Sequence, residues 1–299
     1  MKKITFLSSF ILKIVALVTM TFDHVGLLLE TMHPYETDIL TLAGVFRGIG
    51  RIALPLFVFM IVEGVLHTKN FKKYALRLGI MAALISLVFI IMEYTSLRSS
   101  SYGLLRAGNI FIDLLLVAVS IYCLKHEKIW VKFLTLLPIA FSILSFVVKG
   151  VEYSTNIDIH WFPAFITMQY DVFAVVLGIA FYVSYKLGDL YIKALEPSTG
   201  MDKSIWEANG SYRVVVNLIS MFMVVLVSFL YYCIKFIWPT GIFWNANIEL
   251  FAIISSALIL MYSGKRGYNA KWFQYGSYLY YPLHMIVIIV IFIIVNGGL

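Results

Sequence analysis

Two adjacent ionisable residues, Asp23 and His24, interrupt the first long apolar stretch of the chain. A histidine exchanges protons near neutral pH, and beside a carboxylate it can serve as a general base. Lys13 precedes His24 by about three helical turns, so both side chains project from nearly the same helix face, about 16.5 Å apart. Lys13 can then meet a phosphate at one mouth while His24 meets the reactive end of a long, thin ligand. The alternatives are a helix–helix hydrogen bond for His24 and a lysine that extends to an interface.

A second set of polar residues is predicted at one depth of the fold. Arg47 and Arg51 are one helical turn apart and share a face, as do Asn109 and Asp113, and Asp171 begins a later apolar stretch. With Asp23, which lies in the same layer, they make two arginines and three aspartates that can neutralise each other, so a structural role stays open for the pairs away from His24.

A third set lies towards the opposite side of the predicted fold. Glu63 and His67 are spaced i,i+4, a Gly-Lys-Arg-Gly turn carries Lys265 and Arg266, and His284 follows a proline. Basic residues beside a glycine-flanked turn can bind phosphates through cations and backbone N–H groups. Such turns are also typical of ordinary cytoplasmic loops. For Glu63 the sequence favours pairing with a basic residue, with contact to a substrate second.

The elements that position these residues are predicted to be membrane-spanning helices. The chain has 299 residues, of which 61% are hydrophobic and 13% charged, whereas soluble domains have roughly 45–50% and 25%. This composition excludes secreted disulfide scaffolds, nucleic-acid-binding modules and disordered chains. A span needs about 20 apolar residues, which predicts an all-α polytopic protein of about nine to ten spans. The nine clearest segments are Phe10–Leu29, Arg47–His67, Tyr74–Tyr94, Asn109–Leu124, Ile129–Val148, Tyr170–Leu190, Val214–Trp238, Asn247–Ser263 and Gly276–Val295, and Ile159–Thr167 is expected to be re-entrant or interfacial.

The charges of the loops predict the orientation. The net charge of +7 comes from Lys and Arg that alternate between loops, and such residues collect in the cytoplasm. This pattern places the N-terminus in the cytoplasm, with a retained first span instead of a cleaved signal peptide. We expect one multi-span membrane domain over residues 1–299, with its longest cytoplasmic loop at about 191–212.

At these residues the sequence resembles the TraX family of membrane proteins, named for the protein that acetylates conjugative pilin. The resemblance runs in order along nearly the whole chain. The motifs that carry it are Leu12–Leu17, Met20–His24, Gly50–Phe57, Val62–Gly64, His67-Thr68, Tyr74–Leu78, Asn109–Phe111, Tyr170-Asp171, Gly264–Gly267 and Tyr280–Met285. The resemblance implies transfer of an acetyl group from cytoplasmic acetyl-CoA to an acceptor across the membrane, and it leaves the acceptor open.

The sequence and the resemblance together lead to one set of expected roles. His24 is expected to deprotonate the acceptor or to carry the acetyl group transiently, oriented by Asp23, and Arg47 or Arg51 to stabilise the oxyanion or position an anionic acceptor. The residues expected to bind or support the acyl-CoA are Lys13, Glu63, His67, Lys265, Arg266 and His284. The residues expected on the acceptor side are Asn109, Asp113 and Asp171.

The expected partners follow from the same reading. They are acyl-CoA, membrane lipids and an extracytoplasmic glycan, polymer or protein, in a bacterial cytoplasmic membrane, without nucleic acid or metal; a homo-oligomer stays open. A proton-coupled transporter that uses the same intramembrane residues is the alternative function. A non-catalytic assembly factor is the third possibility.

Overall fold

Helices account for most of the residues that the structure describes. The computed structural model describes residues 4–33, 35–94, 108–155, 157, 159–237 and 246–295. Over these residues the protein is all-helical, which confirms the predicted class. The α-helices are α1 Ser9–Met32, α2 Thr37–Gly50, α3 Ala53–His67, α4 Phe71–Tyr94, α5 Ile110–Lys125, α6 Ile129–Phe133, α7 Leu136–Thr155, α8 Asp171–Thr199, α9 Lys203–Ala208, α10 Ser211–Ile237, α11 Ala246–Glu249, α12 Ser255–Leu260 and α13 Lys271–Val295, and single 3₁₀ turns form at Ala164–Ile166 and Leu250–Ile254.

Six helical stretches of the described residues are long and apolar enough to cross a membrane. The protein is therefore a multi-pass membrane protein, although the predicted count of nine to ten spans is not confirmed. Helix α5 has only 16 residues, and the eighth predicted segment is a chain of short helices. The six stretches are Ser9–Met32, Thr37–His67, Phe71–Ile91, Ile129–Glu152, Ala164–Thr199 and Ser211–Ile234.

The second predicted span begins in the wrong place. It was expected to start at Arg47, but α2 starts at Thr37, so that Arg47 and Arg51 lie near the middle of a 31-residue stretch. The polar residues early in α2 lower its local hydropathy, so the apolar pattern does not predict the first part of this helix. The chain breaks between α2 and α3 because Pro55 cannot donate the hydrogen bond that the Arg51 carbonyl would accept. The two arginines therefore lie at depth instead of at the outer end.

The predicted loop at about 191–212 is mostly helical. Helix α8 continues to Thr199 and ends at Gly200, whose φ of +65° caps it in the left-handed conformation. Helix α9 follows, with the Asp202 side chain accepting from the Ile205 N–H. Hydrogen bonds from Ser204 and Ile205 lower the pKa of the Asp202 carboxyl below its usual value. The segment expected to be re-entrant, Ile159–Thr167, contains one 3₁₀ turn and no α-helix.

Glycines allow α1 and α2 to approach closely. A Cβ atom on Gly50 would overlap with Cα and Cβ of Asp23, and one on Gly26 would lie 2.8 Å from the Ala43 carbonyl oxygen. This close approach packs Asp23 and His24 against the break between α2 and α3, where Arg51 lies. Small residues serve in this way at many membrane helix interfaces.

We expect Gly50→Ala to destabilise the protein by about 1–3 kcal/mol, because the added methyl group must displace the backbone of α1. Gly44→Ala is the matched control, since a Cβ there meets nothing within 4 Å, and alanine favours a helix by up to about 1 kcal/mol. Thermal unfolding in detergent measures both variants. An equal melting temperature for the two would contradict the close approach of α1 and α2.

Candidate functional site

A cavity of about 440 Å³ lies between the N-terminal half of α1, α3, the start of α4, α5 and α13. Its rim is polar and aromatic, and its inner walls are largely apolar. Four of the predicted acyl-CoA residues line it, namely Lys13, Glu63, His67 and Arg266. Lys265 and His284 are not part of its lining. A further basic residue of the lining, Arg77, was not among the predicted site residues.

The Gly264–Gly267 turn packs against the start of α1. Its Lys265 and Arg266 carbonyls accept hydrogen bonds from the Ser9 and Phe10 N–H groups, at 2.9 and 3.1 Å. These are among the first N–H groups of α1, which have no partner within the helix. Gly267 has a φ of +70° and leaves no room for a Cβ atom beside Ser8. The turn therefore brings Arg266 to the cavity beside Lys13, and its carbonyl groups serve to cap α1.

Glu63 is paired with a basic residue, which confirms the first interpretation made for it. Its partner is Arg213 of α10, 150 positions away in sequence. Arg213 Nη1 also donates to the Tyr185 hydroxyl at 2.8 Å, and its guanidinium lies over the Tyr262 ring at 5.2 Å. His67 Nδ1 lies 2.9 Å from the Glu63 carbonyl oxygen. Arg213 was not among the predicted site residues, because it begins an apolar stretch and resembles an ordinary loop cation.

His24 forms a hydrogen bond with His284. Its Nδ1 lies 2.8 Å from His284 Nε2, and His284 Nδ1 lies 2.8 Å from the Tyr280 carbonyl oxygen. A carbonyl oxygen only accepts, so His284 Nδ1 carries a proton; when both rings are neutral, His284 Nε2 therefore accepts from His24 Nδ1–H. Neutral His24 then has its lone pair on Nε2. This arrangement leaves Nε2 as the atom able to remove a proton.

The expectation that Asp23 orients His24 is wrong. The Asp23 carboxylate accepts a hydrogen bond from Arg51 Nη2, and the His24 ring is held by His284 instead. Arg51 Nη1 also bonds Glu249 Oε1 at 2.5 Å, and its guanidinium lies over the Tyr170 ring at 5.4 Å. Arg51 is thus engaged between two buried carboxylates. Its guanidinium compensates the negative charges of Asp23 and Glu249.

Arg47 extends the charged network towards one end of α1. Its Nη1 bonds Glu30 Oε2, and its Nε lies 3.9 Å from Asp23 Oδ1. Glu30 is partly exposed, so this end of the network reaches the surface. The buried end is Glu249, whose Oε2 has no hydrogen-bond partner among the residues described. Counting every ionisable residue within the predicted spans would have included Glu249.

His24 lines a separate small void, of about 20 Å³. Lys13 and His24 therefore do not line one continuous cavity, as a single long ligand that contacts both would require. Four side chains lie on the walls of both the cavity and the void, and we call them the partition: Met20, Phe57, Ile110 and Tyr281. The partition is thus the layer of side chains that separates the cavity from the void beside His24.

The three residues expected on the acceptor side are engaged in backbone and side-chain contacts. Asp113 accepts from the N–H groups of Gln169 and Tyr170, at 2.7 and 2.9 Å. Asp171 is paired with Lys149 at 2.5 Å. This geometry anchors the chain that leads into α8.

Asn109 supports the same junction. Its side chain accepts from the Phe111 N–H at the start of α5 and donates to the Ala82 carbonyl oxygen at 2.8 Å. Its own N–H bonds the Thr167 carbonyl oxygen at 2.9 Å. Lys149 was missed because it directly follows a predicted span, where a lysine is ordinarily a loop residue.

The fold and the site define an all-α, multi-pass membrane protein whose buried charges converge where α1, the α2–α3 break and α11 meet. The TraX protein family matches residues 8–292, so the chain belongs to the TraX family. It is also 38% identical over 71 residues to a probable fimbrial assembly protein, FimC of serogroup H1, from Dichelobacter nodosus. That match covers 24% of this chain and 27% of the relative. No solved structure matches the chain.

Proposed function

We propose that the protein is an integral-membrane acetyltransferase that moves an acetyl group from acetyl-CoA to an acceptor hydroxyl or amine on the other side of the membrane. The observation that carries the proposal is the cavity with a basic rim, whose inner end is separated from His24 only by the partition. Membership of a family named for pilin acetylation supports it.

The cavity suits a long ligand with a charged head. Its volume of about 440 Å³ lies within the roughly 300–1,000 Å³ of ligand pockets. Lys13, Arg77 and Arg266 on its lining supply positive charge for the donor's phosphates, and the apolar inner walls receive the acyl-bearing arm. When bound, the donor supplies a thioester at the partition. Lys265, outside the lining, adds positive charge next to Arg266.

His24 is the proposed general base. Its Nε2 takes the proton from the acceptor as the acceptor's oxygen or nitrogen bonds to the acetyl carbon. The same histidine returns the proton to the departing thiolate as the carbon–sulfur bond breaks. His284 holds the ring in the tautomer that this step needs, and Asp23 contributes negative charge nearby. For contact with the donor, the partition must shift.

The proposed orientation follows from the loop charges. The N-terminus lies in the cytoplasm of a bacterium, about nine helices span the cytoplasmic membrane, and the cavity opens to the cytoplasmic acetyl-CoA pool. The acceptor is a glycan, polymer or protein that approaches from the opposite side, where the network of Arg47 and Glu30 reaches the surface. Arg47 is better placed than Arg51 to contact an anionic acceptor, because its partner Glu30 lies at the surface, whereas both carboxylates that bind Arg51 are buried.

Purified protein in sealed vesicles tests the proposal. Acetyl-labelled CoA is supplied on the face where the cavity opens, and binding of the donor and label on acceptors at the opposite face are both measured. We expect saturable binding and transfer across the membrane. An absence of acetyl-CoA binding would sink the proposal, and proton-coupled uptake of a small molecule without acetyl transfer would favour the transporter.

A further inference from the structure

Three aromatic rings form one wall of the cavity rim. Phe10 of α1, Tyr268 of the loop before α13 and Phe273 of α13 all line the cavity. The Phe10 ring centroid lies 5.4 Å from that of Tyr268 and 4.7 Å from that of Phe273. We infer that this aromatic wall is the subsite for the purine base of the donor nucleotide, an inference that rests on the proposed function.

Positive charge lies directly beside these rings. The Lys13 ammonium is 5.7 Å from the Phe273 ring centroid, and Arg266 lines the same rim. A nucleotide presents a flat π-face next to phosphates, so it needs a stacking surface and cations at short range. The rim of this cavity provides both, whereas the walls at the partition are Met20, Phe57, Ile110 and Tyr281. The change from aromatic and charged residues at the rim to the partition residues inside favours binding of the nucleotide at the rim and of the acyl-bearing arm inside.

Two side-chain amides lie next to the aromatic wall. Asn269 and Gln274 both line the cavity, and Gln274 Nε2 donates to Asn269 Oδ1 at 2.7 Å. Gln274 Nε2 also donates to the Asn269 carbonyl oxygen at 3.1 Å, so its amine is engaged with Asn269. Asn269 Nδ2 and Gln274 Oε1 are a donor and an acceptor of the kind with which side-chain amides bind N7 and the N6 amine of adenine. The amides therefore favour adenine among the bases.

Aromatic residues at a membrane surface also serve as an interfacial belt. That role fits Trp272 and Tyr275, which are 68% and 53% exposed and are not part of the cavity lining. Phe10 and Phe273 are instead partly buried, and although Tyr268 is 51% exposed, it lines the cavity together with them. The three rings of the rim are thus distinguished from the belt by the surface that they form.

The test compares two acetyl donors, acetyl-CoA and acetyl-pantetheine, which lacks the nucleotide. The variants are Tyr268→Leu and Phe273→Leu, which keep apolar bulk and remove the ring. We expect each to lower kcat/KM for acetyl-CoA relative to that for acetyl-pantetheine by about 5-fold to 150-fold, the loss typical of one base–aromatic stack. The control is Trp130→Ala, an exposed aromatic of α6 outside the cavity, which should leave this ratio unchanged.

Binding of adenosine 3′,5′-bisphosphate to the same proteins gives a readout independent of turnover, and we expect it to weaken in both rim variants. Unchanged ratios and unchanged binding in variants that unfold at the wild-type temperature would overturn the subsite and leave the acetyltransferase standing. A wild-type protein that acetylates with neither donor would overturn both. Equal losses with the two donors would show that the rings support the fold instead of the base.

Discussion

Replacing His24 with alanine is expected to lower the rate of acetyl transfer by about 10²- to 10⁴-fold, the contribution typical of a general base. Binding of acetyl-CoA should survive, because His24 lies beyond the partition and is not part of the cavity lining. Labelled acetyl-CoA measures binding and transfer in one preparation. His126→Ala is a suitable control, since this histidine follows α5 and is absent from the linings of the cavity and the void.

The role of His284 sharpens this prediction. His284→Gln retains a side-chain acceptor for His24 Nδ1–H, whereas His284→Leu removes it. We expect the leucine variant to lower kcat by about 10- to 100-fold, as for losses of groups that orient a histidine, and the glutamine variant to restore most of it. Full transfer by His24→Ala would refute the role of His24 as base, and equal rates for the two His284 variants would refute the orienting hydrogen bond.

Replacing Arg51 with glutamine is expected to destabilise the protein by about 3–5 kcal/mol, the usual cost of removing one partner from a buried ion pair. Arg51 bonds Asp23 and Glu249, and all three side chains are buried. Without the guanidinium, Glu249 would lose its bonded cation, and Asp23 would keep only the longer contact with Arg47, at 3.9 Å. Native proteins are stable by only about 5–15 kcal/mol, so the loss should lower the midpoint of thermal unfolding in detergent clearly.

A compensated variant separates charge from shape. Asp23→Asn, Arg51→Gln and Glu249→Gln together remove all three charges, and we expect this triple variant to recover much of the stability lost in Arg51→Gln. The exposed pair of Lys203 and Asp189, joined at 2.7 Å, is the matched control, because Lys203→Gln should cost only about 0–1 kcal/mol. Equal losses in Lys203→Gln and Arg51→Gln would argue against a buried charge centre.

Local patterns in the sequence were sufficient to predict where most of the helices lie. Each of the nine predicted segments is largely helical where the structure describes it, because an apolar run of sufficient length specifies a helix in lipid without reference to its neighbours. The errors lie where polar residues lower the hydropathy, as at the start of α2, or where a glycine ends a helix later than its apolar run does, as in α8.

The partners of the buried charges could not be predicted in the same way. The sequence indicates that Glu63 needs a cation, because an unpaired carboxylate within a span is costly. It does not indicate that the cation is Arg213, 150 positions away, or that Glu249 joins Arg51 across 198 positions. Pairing depends on which helices pack together, and each apolar face is compatible with many neighbours.

The sequence by itself determined the class of protein, most of its helices and the burial of His24, because the cost of exposing polar groups to lipid acts on each segment alone. Only the tertiary structure decided that His284 forms a hydrogen bond with His24, that Asp23 pairs with Arg51, and that the partition separates Lys13 from His24. Such contacts join atoms of different helices within about 3–4 Å, and their distances depend on how the helices pack.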